Sequence, residues 1–418
     1  MELISNKNVI NIIRRTLNLI DPRLIDHGGR VGYMLYKMLD EEGEYDQKEI
    51  LTFAMVGLFH DIGAYKIEEI DKMVDFETDT PINHSIYGYL FYKYFTPQDE
   101  IAKIILYHHF DYKELKKQNF IYEKVTSYLS LVDSVDVIAN ITKKVEKLPD
   151  LFTNRDGIYS DEAIELFLRI NEKYEVLNKL KDSTYKDELD EIVEVSKFTL
   201  EQKEMYLKML IYSIDFRSEY TVMHTITTIS AADEIGVLME LNELERKQLH
   251  FAALFHDIGK ISTPVSILEA ERKLTEDEME IMRNHVVMSE YILKDYIDPV
   301  ILEIAIRHHE KLDGTGYPRK LKGDELTKSQ RILAVADIVS ALSGKRSYKE
   351  AFTREKIISI LWNNMENGKL CDKVVKCTID NFDLIMDNIM EKTNEEIEAY
   401  TRLNQRFDEI YHEYAELH

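Results

Sequence analysis

The sequence predicts an all-α chain built as two tandem helical bundles, and three observations carry that reading. Only 7 Pro and 15 Gly interrupt 418 residues rich in Leu, Ile, Glu and Lys, a composition that favours helix over sheet. At 44% hydrophobic and 31% charged residues, the chain is ordinary for folded globular protein and long enough for two or three domains. The third observation is an internal repeat. Of 13 histidines, ten fall into two ordered sets: His27, His60, His84, His108 and His109, then His224, His256, His285, His308 and His309.

The spacings within the sets nearly match. His27 to His60 is 33 residues and His224 to His256 is 32; His84 to His108 is 24 and His285 to His308 is 23. Both sets contain Leu-Phe-His-Asp-Ile-Gly, as Leu58 to Gly63 and Leu254 to Gly259, and both end in an aspartate inside an apolar run, Asp133 and Asp337. A period of about one domain is too long for a solenoid and reads as a tandem duplication. The boundary is expected near residue 195, giving domains 1–195 and 196–418.

Taken in order, the elements are as follows. Met1 to Lys7 lacks the basic region and apolar core of a signal peptide. No run reaches the roughly 18 apolar residues of a membrane span. With Cys371 and Cys377 as the only cysteines, a reducing cytoplasm is expected. Asp161 to Leu210 holds no proline and reads as the closing helices of the first half and the opening helix of the second. Phe251 to Phe255 is an apolar run that delivers His256 and Asp257 side by side. Ile301 to His308 has helical periodicity, which places His308 and His309 at a helix C-terminus, and Asp313-Gly314-Thr315-Gly316-Tyr317-Pro318 is turn chemistry that ends it. Asn388 to His418 has neither Pro nor Gly and reads as one or two closing helices with a face for a partner; a homodimer is left open.

Each histidine taken alone is more often a hydrogen-bonded core residue than a ligand, and a lone His-Asp pair more often lies on a solvated surface. Five in order, twice, reverse that preference. Asp337 weighs most, because a carboxylate within Ile332 to Val339 would be costly to bury without a partner or a cation. Nitrogen and oxygen ligands suit Zn, Fe, Mn or Ni, and the absence of cysteine among them argues against a thiolate-bound structural zinc. The net charge of −24 argues against nonspecific binding to long nucleic acid, so an anionic substrate would need metal ions and local Lys and Arg to compensate. Arg346, Tyr348 and Lys349 follow Asp337 closely enough for one helix, or its end, to carry them to an anion beside the metal.

With these residues in view, residues 196 to about 385 resemble the HD-GYP family, the branch of the HD metal-dependent phosphohydrolases that degrades cyclic di-GMP. The resemblance rests on His256-Asp257-Ile258-Gly259-Lys260, His285, His308-His309-Glu310, Asp313 to Pro318, Ala336-Asp337, and Arg346 with Tyr348-Lys349. It implies an all-helical bundle around a metal site. His224, His256, Asp257 and Asp337 would hold one ion, and Asp257 would bridge to a second held by His285, His308 and His309. Lys260, Arg346 and Lys349 would meet phosphates, and Asp313, Gly316 and Tyr317 would belong to the substrate cleft. Tyr220 stands where members with three metals carry Glu, so two ions, iron or manganese, are expected. A hydroxide shared by two such ions would attack the phosphodiester, with Asp257 and Lys260 as the catalytic residues, giving linear pGpG, with GMP as a further product left open. Cyclic GMP-AMP is the alternative substrate, and a non-catalytic nucleotide-sensing scaffold is the alternative of a different class.

The family's Arg three residues after the first ligand histidine is Thr227 here, whereas the first half keeps it as Arg30. That half retains His27, His60, Asp61, His84, His108, His109 and Asp133 as a second candidate metal site. It has Ala64 in place of Lys260, and Phe110-Asp111-Tyr112-Lys113 in place of the Gly-Tyr-Pro loop. It resembles a divergent HD domain, expected to be regulatory.

Overall fold

The computed structural model describes residues 3–19, 25–66, 82–153, 157–196, 198–216, 221–344 and 352–415, and among them there are helices and no strand. The all-α expectation holds. One isolated antiparallel bridge, Asp313 with Lys322, pins a loop. The chain divides into two compact units. The first is Ser5–Ser213 with Arg402–His418, and the second is Ile214–Thr401 with Met1–Ile4. The change from one to the other falls inside the helix Leu200–Asp215, and the closing segment is one 34-residue helix, Phe382–Ala415.

In the first unit the helices His27–Glu42 and Gln47–Phe59 pack face to face, and glycine makes that approach close. A methyl on Gly32 would stand 2.7 Å from the Ala54 carbonyl oxygen, and one on Gly57 would stand 3.0 Å from the Gly32 Cα. Backbones can touch there only because neither residue carries a Cβ. The consequence is local. His27 opens one helix and His60 caps the other, so this contact brings the two imidazoles together, with ring centroids 5.1 Å apart.

The second unit repeats the plan with different small residues. Thr221–Leu238 packs on both Glu243–Phe255 and Lys328–Ser343. Reciprocal capping boxes, Asn242 with Glu245, Thr275 with Glu278 and Thr327 with Gln330, set the starts of three of its helices. One expectation is corrected. The helix expected over Ile301 to His308 is Pro299–Ala305, so His308 and His309 lie beyond its end rather than in its last turn. The chain tightens there, with Arg307 N–H donating to the Ile304 carbonyl and Glu310 N–H to that of Arg307, which turns both imidazoles inward.

Candidate metal centres

Helix ends place the ligands. His60, His108 and His256 are the C-cap residues of Gln47–Phe59, Asp99–Tyr107 and Glu243–Phe255, while His285 follows Glu276–Arg283 by two residues. At each, the Nδ1–H donates to the carbonyl three residues back. His60 meets Gly57 at 2.8 Å, His108 meets Ile105 at 2.6 Å, His256 meets Ala253 at 2.7 Å, His285 meets Met282 at 2.6 Å and His308 meets Ala305 at 2.6 Å. The bond satisfies a carbonyl that the helix leaves without a partner, and it fixes the tautomer with Nε2 bare. A cation is also favoured electrostatically at the negative end of a helix.

Those bare nitrogens converge. In the second unit the Nε2 atoms of His285 and His308 are 3.5 Å apart, and those of His256 and His224 are 3.4 Å apart. Because His285 and His308 both spend their Nδ1 hydrogens on carbonyls, their facing lone pairs repel unless a cation lies between them. Burial holds His308 well below the ordinary imidazole range and lowers His285; His309 falls to about 3 for the same reason.

Asp257 faces both sides of this cluster. Its Oδ2 lies 3.1 Å from His256 Nε2 and 3.4 Å from His224 Nε2, and its Oδ1 lies 3.3 Å from His285 Nε2 and 3.9 Å from His308 Nε2. Two ligands on one ion with bonds of about 2.1 Å are separated by about 3.0–3.5 Å, so most of these distances are edges of a coordination polyhedron. Asp257 Oδ1 is buried and has no hydrogen bond of normal geometry. The donor set therefore fits divalent ions, with one carboxylate oxygen turned to each of two positions. Asp337 completes the first position, its Oδ1 3.1 Å from His224 Nε2, and its Oδ2 lies 3.6 Å from His309 Nδ1. Burial would lift the Asp257 carboxyl, but His256, Lys260 and His224 hold it well below the carboxylate range. Burial would lower His224, and hydrogen bonds to Asp257 and Asp337 outweigh it, raising it to about 8.

The first unit repeats the arrangement around its own shared carboxylate. Asp61 Oδ2 faces His27 and His60 at 3.4 and 3.3 Å, and its Oδ1 faces His84 and His108 at 3.5 and 3.8 Å. Asp133 Oδ1 is 3.2 Å from His27 Nε2, and His109 Nε2 is 3.0 Å from His84 Nε2. His60 Nε2 and Asp61 Oδ2 are buried with no hydrogen bond of normal geometry. Both ligand sets inferred from sequence are thus gathered, each within one unit.

The glycine of the His-Asp-x-Gly motif explains how the third histidine arrives. A methyl on Gly259 would stand 1.9 Å from the His285 carbonyl oxygen, and one on Gly63 would stand 2.1 Å from that of His84. Only glycine lets that helix seat against the turn.

Around the ligands the units differ. His27 Nδ1 donates to Asp136 Oδ2 at 2.7 Å, and Arg30 grips the same carboxylate through Nε at 2.6 Å and Nη2 at 2.8 Å. His224 Nδ1 instead meets the Ser340 hydroxyl at 3.0 Å, and Thr227 bonds that hydroxyl. Sequence reasoning noted the exchange of Arg30 for Thr227 but missed Asp136 and Ser340, whose signal is a position three residues after Asp133 and Asp337 on the same helix face. Lys260 Nζ lies on Asp257 Oδ2 at 2.5 Å; its counterpart Ala64 supplies no charge.

The Asp313 to Pro318 loop is held from within. Asp313 Oδ1 accepts from the Thr315 N–H and hydroxyl at 2.9 and 2.7 Å, a turn-forming role. A methyl on Gly316 would stand 2.4 Å from the Lys311 nitrogen, and buried Glu310 accepts from Arg319 N–H and Leu321 N–H at 2.6 and 2.9 Å. The loop carries the Tyr317 ring to 4.7 Å from that of His309. Beside it opens a cleft of about 480 Å³, whereas the cavity against His27 and Asp61 measures about 20 Å³. Tyr220, Arg346, Tyr348 and Lys349 lie outside the described residues.

One HD domain model matches residues 24–141, and a second model, also of an HD domain, matches residues 208–373. The 3'3'-cGAMP-specific phosphodiesterase 1 of Vibrio cholerae is 26% identical over 407 residues, covering 90% of each chain. The 3'3'-cGAMP-specific phosphodiesterase 3 of the same organism is 30% identical over 249 residues, covering 58% of this chain and 54% of that one. The cyclic di-GMP phosphodiesterase response regulator RpfG of Xanthomonas campestris is 35% identical over 175 residues, or 41% of this chain and 46% of that one. A crystal structure of a cyclic GMP-AMP specific phosphodiesterase from V. cholerae shares the fold, with a TM-score of 0.55 and 16% identity over 91% of this chain and 98% of that one. With each HD match falling on one of the two ligand sets, the chain belongs to the HD superfamily of phosphohydrolases and carries two HD domains in tandem.

Proposed function

We propose that the second unit hydrolyses the phosphodiester of a guanine-containing cyclic dinucleotide, and that the first unit binds metal without contributing to that turnover. The observation that carries this reading is the placement of Asp257 between two groups of imidazoles, with a cleft of about 480 Å³ opening beside Tyr317, whose ring lies against His309. Two divalent ions, iron or manganese, held by His224, His256, Asp257, His285, His308, His309 and Asp337, supply charge neutralisation for the phosphate and a nucleophile at neutral pH. Lys260 steadies the shared carboxylate and adds a positive charge at its edge. Arg346 and Lys349 are assigned to the phosphates by the family resemblance alone.

Cyclic di-GMP, cut to linear pGpG, is the first substrate reading, because the second unit's motifs resemble the HD-GYP family. 3'3'-cGAMP is the second. It is favoured by the relative that aligns with 90% of this chain, both halves included, and that is named for that substrate. In the first unit, Ala64 in the place of Lys260 argues against a dinucleotide substrate there. Incubating Mn- or Fe-reconstituted protein with cyclic di-GMP, 3'3'-cGAMP and cyclic di-AMP, with products separated by chromatography, tests the reading. We expect linear dinucleotide from at least one guanine-containing substrate; intact substrate in every case sinks the proposal.

A further inference from the structure

We infer that the cleft beside the second ligand set is a purine subsite and that Arg283 reads guanine in it, an inference that rests on the cyclic-dinucleotide reading above. The cleft lies where the helix Glu276–Arg283 meets the loop bearing Tyr317, and Asn284 in its wall directly precedes the ligand His285. With the Tyr317 ring against His309, a group in this space is a chain neighbour of whatever the metal ligands hold. Its volume of about 480 Å³ lies within the range of small-molecule sites.

The walls suit a base. Ile281 and Val287 expose 44% and 49% of their surface into or beside the cleft, and the Arg283 guanidinium lies 5.5 Å from the centre of the Tyr317 ring. Apolar and aromatic surface is what the π face of a purine stacks on. Arg283 itself has no hydrogen bond or ion pair among the described residues. Its neighbours are engaged: Arg272 with Glu278, Arg307 with Glu303, and Arg319 with Glu290. In a chain with 77 acidic residues, an arginine left without a partner at the rim of a cleft has its planar fork of donors available. That fork matches the O6 and N7 acceptors of guanine. It mismatches adenine, which presents an N6 donor in the place of O6. Charge alone would also draw Arg283 to a phosphate, and the test separates the two.

Steady-state kcat/KM of the full-length, Mn-loaded protein would be measured for cyclic di-GMP, 3'3'-cGAMP and cyclic di-AMP in wild type, Arg283→Gln and Arg283→Lys. Wild type is expected to prefer the guanine-containing substrates. Arg283→Gln, whose carboxamide matches adenine N6 and N7, should lower the ratio of cyclic di-GMP to cyclic di-AMP by roughly ten- to a hundred-fold. Arg283→Lys keeps the charge and can still donate to O6 and N7, so it should retain the guanine preference in large part, unlike Arg283→Gln. An equal loss on all three substrates in Arg283→Gln would make Arg283 a phosphate contact and overturn the inference. Hydrolysis with an unaltered ratio overturns it while leaving the phosphodiesterase reading intact. If wild type cleaves none of the three, both readings fall together.

Discussion

At the scale of single residues, the site depends on groups that never touch a metal. Gly259 is one: a methyl there would sit 1.9 Å from the His285 carbonyl oxygen and 2.5 Å from the Ser289 nitrogen, both backbone atoms that cannot swing away. Gly259→Ala should therefore displace the His285–Leu293 helix, cost about 1–3 kcal/mol in stability and remove metal from the second unit. Metal analysis of the purified variant checks this, and a full complement of ions would contradict it. Asp136 is the other. It is fully buried, orients His27 and neutralises Arg30, so Asp136→Asn should weaken metal binding in the first unit by about 10–100-fold. Competition with a chromophoric chelator measures that loss, and an unchanged affinity would show that the His27 orientation does not need the carboxylate.

At the scale of elements, helices are tied together by side chains whose titration can be followed. Glu188, on the helix Tyr185–Glu194, accepts from the Tyr33 hydroxyl at 2.7 Å, meets Lys37 Nζ at 3.0 Å and pairs with Lys179. Burial would raise its carboxyl, but Lys179, Tyr33 and Lys37 bring it down to about 2. A carboxylate lowered on folding stabilises above its ordinary pKa, and that contribution is lost as pH falls from about 4.5 toward 2. With the side chain 29% exposed, the contribution is on the order of 1–2 kcal/mol. Glu188→Gln should lower the stability of the first unit at pH 7 and flatten its dependence between pH 5 and 3. The single tryptophan, Trp362, belongs to the second unit, so the change should appear in circular dichroism and leave Trp362 fluorescence unmoved. A parallel shift in both signals would place the effect elsewhere.

At the scale of the whole molecule, the chain holds two candidate ligand sets of the same residue types with unlike surroundings. In one, a carboxylate and an arginine back the first histidine; in the other, two hydroxyls do so, and a cleft of about 480 Å³ opens on the far side of the set, beside Tyr317. A carboxylate behind a histidine makes it a stronger ligand, which suits holding an ion, and open space suits turnover. The pair of substitutions that removes each shared carboxylate tests this division. Asp257→Ala should abolish dinucleotide hydrolysis, a loss of about 10³-fold or more, equivalent to about 4 kcal/mol of transition-state stabilisation. Asp61→Ala should leave turnover standing, with any effect appearing as lower stability or altered regulation. Hydrolysis lost in Asp61→Ala and retained in Asp257→Ala would reverse the assignment.

The sequence by itself determined the helical class, the duplication and the inventory of candidate ligands. These are written in composition and in residue types repeated at matched spacing, and a metal ligand must be a particular side chain whatever the fold around it. It also carried the His-Asp-x-Gly motif, although why the glycine is needed became visible only when its neighbour across space, His285, was placed. Tertiary structure alone decided what stands behind the first histidine of each set. Asp136 and Ser340 look like ordinary helix residues until packing brings His27 and His224 against them. The same holds for the ends of helices. Periodicity carried the helix through His308, but the strand of apolar residues does not register that His308 takes the Ala305 carbonyl and turns the chain inward. Local spacing encodes which atoms can bind an ion; the direction in which each atom points is set by contacts between elements distant in sequence, and so belongs to the folded molecule.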